Sequence, residues 1–170
     1  MKARFLLTIY ILFFALFYFT GCGIYSFTGA SIPPEAKTIS VLYFPNKSQL
    51  IQPTLSQKLT DAVKDKFASQ TSLQLIKSGG DLHIEGEIVG YDTKPIAIQA
   101  NETAAMNRLT ISIYVRFTNR FDEKQNFETK FSRFQDYESN LSLSSVEEGL
   151  IDQINEALVE DIFNKAVVNW

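Results

Sequence analysis

The clearest periodicity in the chain runs from Asn107 to Phe121. There Leu109, Ile111, Ile113, Val115 and Phe117 alternate with Arg108, Thr110, Ser112, Tyr114, Arg116 and Thr118. Successive side chains of an extended chain point to opposite faces, so this alternation predicts a strand with one buried and one wet face. Asp122 to Gln125 read as a turn, and Phe-rich Asn126 to Tyr137 as the returning antiparallel partner. Upstream, Thr38 to Phe44 is β-branched and aromatic, ends at Pro45-Asn46, and predicts a buried strand. Between Gln52 and Gln70 the apolar residues Leu55, Leu59, Ala62, Val63 and Phe67 recur at helical spacing, with Pro53 tolerated in the first turn. Leu73 to Lys77 reads as a short strand closed by Ser78-Gly79-Gly80-Asp81.

Leu82 to Tyr91 predicts another strand, with Leu82, Ile84 and Ile88 on one face and His83, Glu85 and Glu87 on the other. Gly86 and Gly90 fall in its apolar row and predict a bulge or a close packing partner. A second extended stretch, Pro95 to Gln99, leads into a polar turn at Asn101-Glu102-Thr103. The final element is a helix from about Val146 to Val168, striped by Leu150, Ile151, Ile154, Leu158 and Ile162. Ser144-x-x-Glu147 and Ser145-x-x-Glu148 are its two candidate capping boxes. The order strand, helix, strands, helix predicts an α+β fold: a single domain whose mixed four- to five-stranded sheet carries two amphipathic helices on one face. The first crossover should join two parallel strands, and the later strands should pair as hairpins.

The beginning of the chain has a different pattern. Lys2 and Arg4 precede an apolar run from Phe5 to Phe19, which ends in Thr20-Gly21 before Cys22. A basic tip, an apolar stretch and small residues are the parts of a secretory signal. The run of about 15 residues is shorter than the roughly 20 that a spanning helix needs. Residues 1–21 are therefore expected to be a signal peptide, 22–38 a lipidated N-terminus and tether containing Pro33-Pro34, and 39–170 the folded domain. Cys22 is the one cysteine of the chain, so no internal disulfide is possible. Phe19-Thr20-Gly21-Cys22 resembles a bacterial lipobox, whose thiol is acylated; two or more acyl chains make a stable anchor.

Charge narrows the function. The whole chain has a formal charge of −3, and loss of Lys2 and Arg4 makes the remainder more acidic. That argues against a general nucleic-acid surface. Catalysis finds little support. His83 is the sole histidine and Cys22 is expected to be acylated, so cysteine–histidine chemistry and histidine-rich zinc sites are unsupported. His83 with Glu85 and Glu87 reads as a solvated strand face before it reads as a metal site. Ser78-Gly79-Gly80-Asp81 lacks the lysine and spacing of a phosphate loop. The expectation is a protein without enzymatic activity, metal or cofactor.

Two charged surfaces remain. Glu148, Asp152, Glu156 and Glu160 recur every four residues on the last helix. Like charges at that spacing repel by a few tenths of a kcal/mol per pair, which solvent tolerates and a basic surface or cations would relieve. On the long strand, Arg108, Tyr114, Arg116 and Arg120 share the wet register, and Lys130 on the return strand is a candidate to join them. Guanidinium groups suit phosphate and carboxylate recognition, so this row is the candidate partner-contact face.

Several short segments carry a resemblance. Gly21-Cys22-Gly23-Ile24-Tyr25-Ser26-Phe27-Thr28-Gly29-Ala30-Ser31, Asn107-Arg108-Leu109-Thr110, and the closing Ile162-Phe163-Asn164 with Asn169-Trp170 are similar to LptE-family lipopolysaccharide-assembly lipoproteins. The likeness spans the mature chain. It implies a protein anchored at the outer membrane and facing the periplasm, which plugs an LptD-type β-barrel and with it delivers lipopolysaccharide to the cell surface. Cys22 carries over as the lipidation site; the arginine face does not come from the family. Ile39–Phe44, Asn46 and the Leu73–Gly86 region also resemble periplasmic lipoprotein domains of curli-type secretion pores and cell-wall-synthase activators, which keeps that alternative open.

Overall fold

The computed structural model describes residues 32–50, 52–96 and 105–168. Five strands, β1 (Thr38–Val41), β2 (Gln74–Ile76), β3 (Leu82–Ile96), β4 (Met106–Asn119) and β5 (Phe127–Glu138), form one sheet with the spatial order β2-β1-β3-β4-β5. Two helices, α1 (Leu55–Gln70) and α2 (Leu143–Val167), complete the fold. β1 is parallel to both β2 and β3, whereas β3–β4 and β4–β5 are antiparallel. The mixed sheet, the element order and the parallel β1-α1-β2 unit agree with the sequence reading. Glu123–Gln125 forms a single 3-10 turn between β4 and β5, held by Asp122, whose side chain accepts from the Lys124 N–H.

All five apolar residues of the β4 row, Leu109 to Phe117, are fully buried under the helices. α1 contributes Leu55, Leu59, Val63 and Phe67, and α2 contributes Ile151, Ile154, Leu158 and Ile162. Each such side chain stabilises the fold by roughly 1.5–3 kcal/mol relative to exposure. Phe67 and Phe163 join the helices edge to face at 5.1 Å. The chain enters this core before β1, since Ala36 is buried and Ile32 packs against the cluster.

The helix starts differ from expectation. α1 begins at Leu55, and Gln52 acts in front of it. The Gln52 Oε1 accepts from the N–H groups of Thr54 and Leu55 at 2.7 and 2.9 Å, satisfying donors that have no partner within the helix. α2 begins at Leu143, so Ser144 and Ser145 lie inside its first turn and neither predicted capping box forms. Ser142 takes the N-cap position without a side-chain cap. The two glutamates are used elsewhere: Glu147 accepts from the Tyr91 hydroxyl and Glu148 from Lys58.

β1 is shorter than the predicted Thr38–Phe44 strand. Regular pairing stops at Val41, although the Leu42 N–H still donates to the Ile84 carbonyl at 2.9 Å and Asn46 bridges Ile88. The departure turns Phe44 into the core, where its N–H donates to Thr60 Oγ1 at 3.1 Å. Gly86 makes this possible. A Cβ on it would lie 2.6 Å from the Phe44 ring and 2.5 Å from the Tyr114 carbonyl oxygen. The other glycine marks a bulge, because pairing with β4 shifts between Ile88 and Gly90. The shift reverses the alternation, and Tyr91 turns to the core side. Burial, then the bond to Glu147, pushes the Tyr91 phenol above its usual range. β3 then runs on to Ile96, so Pro95 belongs to it. The rest of the predicted Pro95–Gln99 stretch and the polar turn at 101–103 lie outside the described residues.

The turn after β2 fixes the start of β1. Gly79 adopts a φ of 71°, open to glycine without steric cost. It brings the Asp81 carboxylate to the N–H groups of Lys37 and Thr38, at 2.9 and 3.0 Å, and to the Thr38 hydroxyl at 2.8 Å. The Lys37 N–H first, and then the Thr38 hydroxyl, hold this carboxyl below the ordinary range.

Candidate functional site

The helices cover one face of the sheet and leave the other face of β3, β4 and β5 uncovered. Arg108, Tyr114 and Arg116 lie on this open face together, as their shared register requires. β5 contributes Glu128, Lys130, Ser132, Phe134 and Asp136 to the same face, and β3 contributes His83, Glu85 and Glu87. Arg120 lies just past the end of β4, where its N–H donates to the Asp81 carbonyl and its charge also lowers the Asp81 pKa. It stands apart from the other three. Lys130 is opposite Tyr114 and makes no ion pair among the described residues.

The arginines carry partners of their own. Arg108 meets Asp136 through two bonds, Nε to Oδ1 at 2.7 Å and Nη2 to Oδ2 at 2.9 Å. Its guanidinium carbon also lies 3.5 Å from the centroid of the exposed Phe134 ring, a cation–π arrangement. Arg116 donates to Glu128 at 2.5 Å and to Glu85 at 2.8 Å, and Tyr114 donates to Glu128 at 2.6 Å. The Tyr114 hydroxyl and then Arg116 lower the Glu128 pKa, Arg108 lowers that of Asp136, and the bond to Glu128 raises that of Tyr114. The face is thus a neutralised lattice rather than a bare cationic patch. Beside it, Tyr43, Pro45, Glu87 and Tyr114 help to line a shallow cavity of about 400 Å³.

His83 is bound into the same lattice. Its Nδ1 is 2.7 Å from Ser40 Oγ, and its Nε2 is 3.8 Å from Glu85. Among the described residues no group of three or more histidine, aspartate or glutamate side chains is placed to hold a metal ion. The counter-charges on β5 were not singled out from sequence, and the predicted turn does not reveal them. A hairpin closed over 122–125 would set Phe121 opposite Asn126 and so Arg108 opposite Ser139, whereas the observed pairing closes at Phe117 opposite Phe127 and brings Arg108 to Asp136 and Arg116 to Glu128.

The acidic row of α2 also meets charge from within the molecule. Lys58 on α1 bridges Glu148 at 3.0 Å and Asp152 at 2.8 Å, and Lys66 pairs with Glu160 at 2.5 Å. Neither solvent alone nor an external cation is needed to relieve these three. Glu156 has no ion-pair partner among the described residues. Cys22, the expected lipidation site, lies outside the described residues.

The fold and these surfaces define a class: an open-faced α+β sandwich, five strands with two helices on one side and a polar lattice on the other. No helix among the described residues is long and apolar enough to cross a membrane. Residues 36–166 match the family model LptE, described as lipopolysaccharide-assembly. The chain belongs to this family of lipoproteins and thereby has a role in lipopolysaccharide assembly. Among solved structures, a homolog of neuraminyllactose-binding hemagglutinin from Helicobacter pylori is 6% identical, with 80% of this chain and 86% of that chain covered and a TM-score of 0.51, so the two share a fold. The rare lipoprotein B from Shewanella oneidensis is 13% identical over 74% of this chain and 90% of its own, at a TM-score of 0.48. A minor lipoprotein from Acinetobacter baumannii is 15% identical over 72% and 91%, at 0.46. No curated protein sequence matches the chain.

Proposed function

We propose that this protein is a non-enzymatic, outer-membrane lipoprotein that faces the periplasm and serves as partner and plug of an LptD-type β-barrel during lipopolysaccharide transport. Family membership supports the pathway. The observation that carries the mechanical part is one-sided burial. The core is complete on the helix side, while Arg108, Tyr114 and Arg116 stand in register on a face that folding does not use. Lipid on Cys22 would hold the domain at the membrane surface, and insertion into a barrel lumen would take the open face out of water. There each guanidinium can exchange its present carboxylate for a carboxylate of the barrel or a lipid phosphate, since both fit the same planar fork of donors. The aromatic groups Tyr114 and Phe134 add area of the kind enriched at protein interfaces.

The test is affinity purification of the tagged, full-length chain from its own cells. The expected result is a large outer-membrane β-barrel in near-stoichiometric amount, with lipopolysaccharide accompanying the complex. Recovery of a curli-type secretion pore or a wall synthase in its place would overturn the proposal.

A further inference from the structure

The other side of the molecule has a groove that the sheet face does not explain. Between α1 and α2 lies an open cleft of about 690 Å³. Its lining includes five carboxylates, Asp61, Asp65, Asp152, Glu156 and Glu160, against two lysines, Lys58 and Lys66. Both lysines are already engaged by Asp152 and Glu160. Asp65 and Glu156 are exposed and have neither an ion pair nor a hydrogen bond among the described residues. Ala62 and Val159 provide apolar surface between them. Asn155 also lines the cleft. It is only 4% exposed, and its Oδ1 has no hydrogen-bond partner. A buried amide oxygen left without a partner is costly to the fold, so a polar group held there points to a ligand with a donor.

We infer that the α1–α2 groove is a docking site for a basic side chain, lysine or arginine, presented by a protein partner. The chemistry fits each part of such a group. An aliphatic stem lies on Ala62 and Val159, as long cationic side chains do on apolar surface. The charged head supplies donors to Asp65, Glu156 and the unpartnered Asn155 Oδ1. A phosphate or other anion is disfavoured by the excess of carboxylates. A divalent cation is disfavoured because two ammonium groups share the cleft, and because no set of three acidic ligands converges among the described residues. The inference stands whatever occupies the sheet face.

Hexalysine is the probe, titrated into isotope-labelled, full-length protein in detergent micelles and followed by NMR. Saturable binding should shift the Asn155 side-chain amide signals. Asp65→Asn/Glu156→Gln should weaken binding at least about fivefold, the scale of two exposed ion pairs. Glu87→Gln/Glu138→Gln removes the same charge from the sheet side and should leave affinity within twofold. Asn155→Leu keeps every charge, should unfold at or above the wild-type temperature, and should still lose the peptide. The inference is overturned if the Asn155 signals do not move at millimolar peptide, or if the two charge variants weaken binding equally.

Discussion

The two faces of β4 share one backbone and have opposite surroundings. Leu109, Ile111, Ile113, Val115 and Phe117 are sealed beneath both helices, while Arg108, Tyr114 and Arg116 one residue away face outward and are bound mainly to carboxylates. Removing apolar area from water is what stabilises the fold. Exposed ion pairs contribute little, because water and side-chain entropy offset their attraction. Stability is therefore concentrated in the odd-numbered row, and the even-numbered row contributes little to it. A surface arranged as a lattice of paired charges and aromatic rings, on a face that folding does not need, is suited to recognition.

The largest effect should come from reversing the character of the buried row. Ile113→Asp places a charge where nothing can pair with it and should destabilise the domain by roughly 3–5 kcal/mol. Thermal denaturation followed by circular dichroism would show the cooperative transition lost or moved far down. A nearly silent substitution would break the comparison, because it would mean that the two faces are not distinct.

A smaller effect is expected at Asp81, which ties the β2–β3 turn to β1. Its carboxyl is lowered in the folded state from an ordinary 3.8, chiefly by the Lys37 N–H. A depressed acid stabilises the fold above its unfolded pKa and loses that contribution as pH falls through the folded value. Stability should thus be flat near neutrality and decline from about pH 4 downward. Asp81→Asn should lower the melting temperature at neutral pH and reduce the acid slope. Glu128 and Asp136 shift in the same direction, so some slope should remain. An unchanged slope in the variant would show that this turn does not restrain β1.

What could be read from the sequence follows the range of the interaction. The β4 alternation and both helix stripes depend on local periodicity, and the structure places them as read. The premature end of β1 depends on Phe44 finding room against Gly86, 42 residues away in sequence, so the β-branched run alone extended the strand too far. The capping boxes failed for a similar reason. Ser144 and Ser145 have the right residues at the right spacing, but Glu147 and Glu148 are taken by Tyr91 and Lys58 from other elements. The acidic row on α2 looked unrelieved because the facing lysines belong to α1, and Asp81 looked like an ordinary turn residue because its partners precede it by more than 40 positions. The arginine face was half legible: parity gave the surface, while its carboxylate partners required the hairpin register.

On the proposed function, Arg108 and Arg116 serve recognition and contribute little to folding. The decisive measurement compares Arg108→Ala/Arg116→Ala with wild type in two readouts, the melting temperature of the purified protein and the amount of outer-membrane barrel that co-purifies with it from cells. The predicted result is a melting temperature close to wild type together with a severalfold loss of barrel and increased sensitivity to large hydrophobic antibiotics. Normal barrel recovery with an intact permeability barrier would contradict the account and reduce this face to solvated surface.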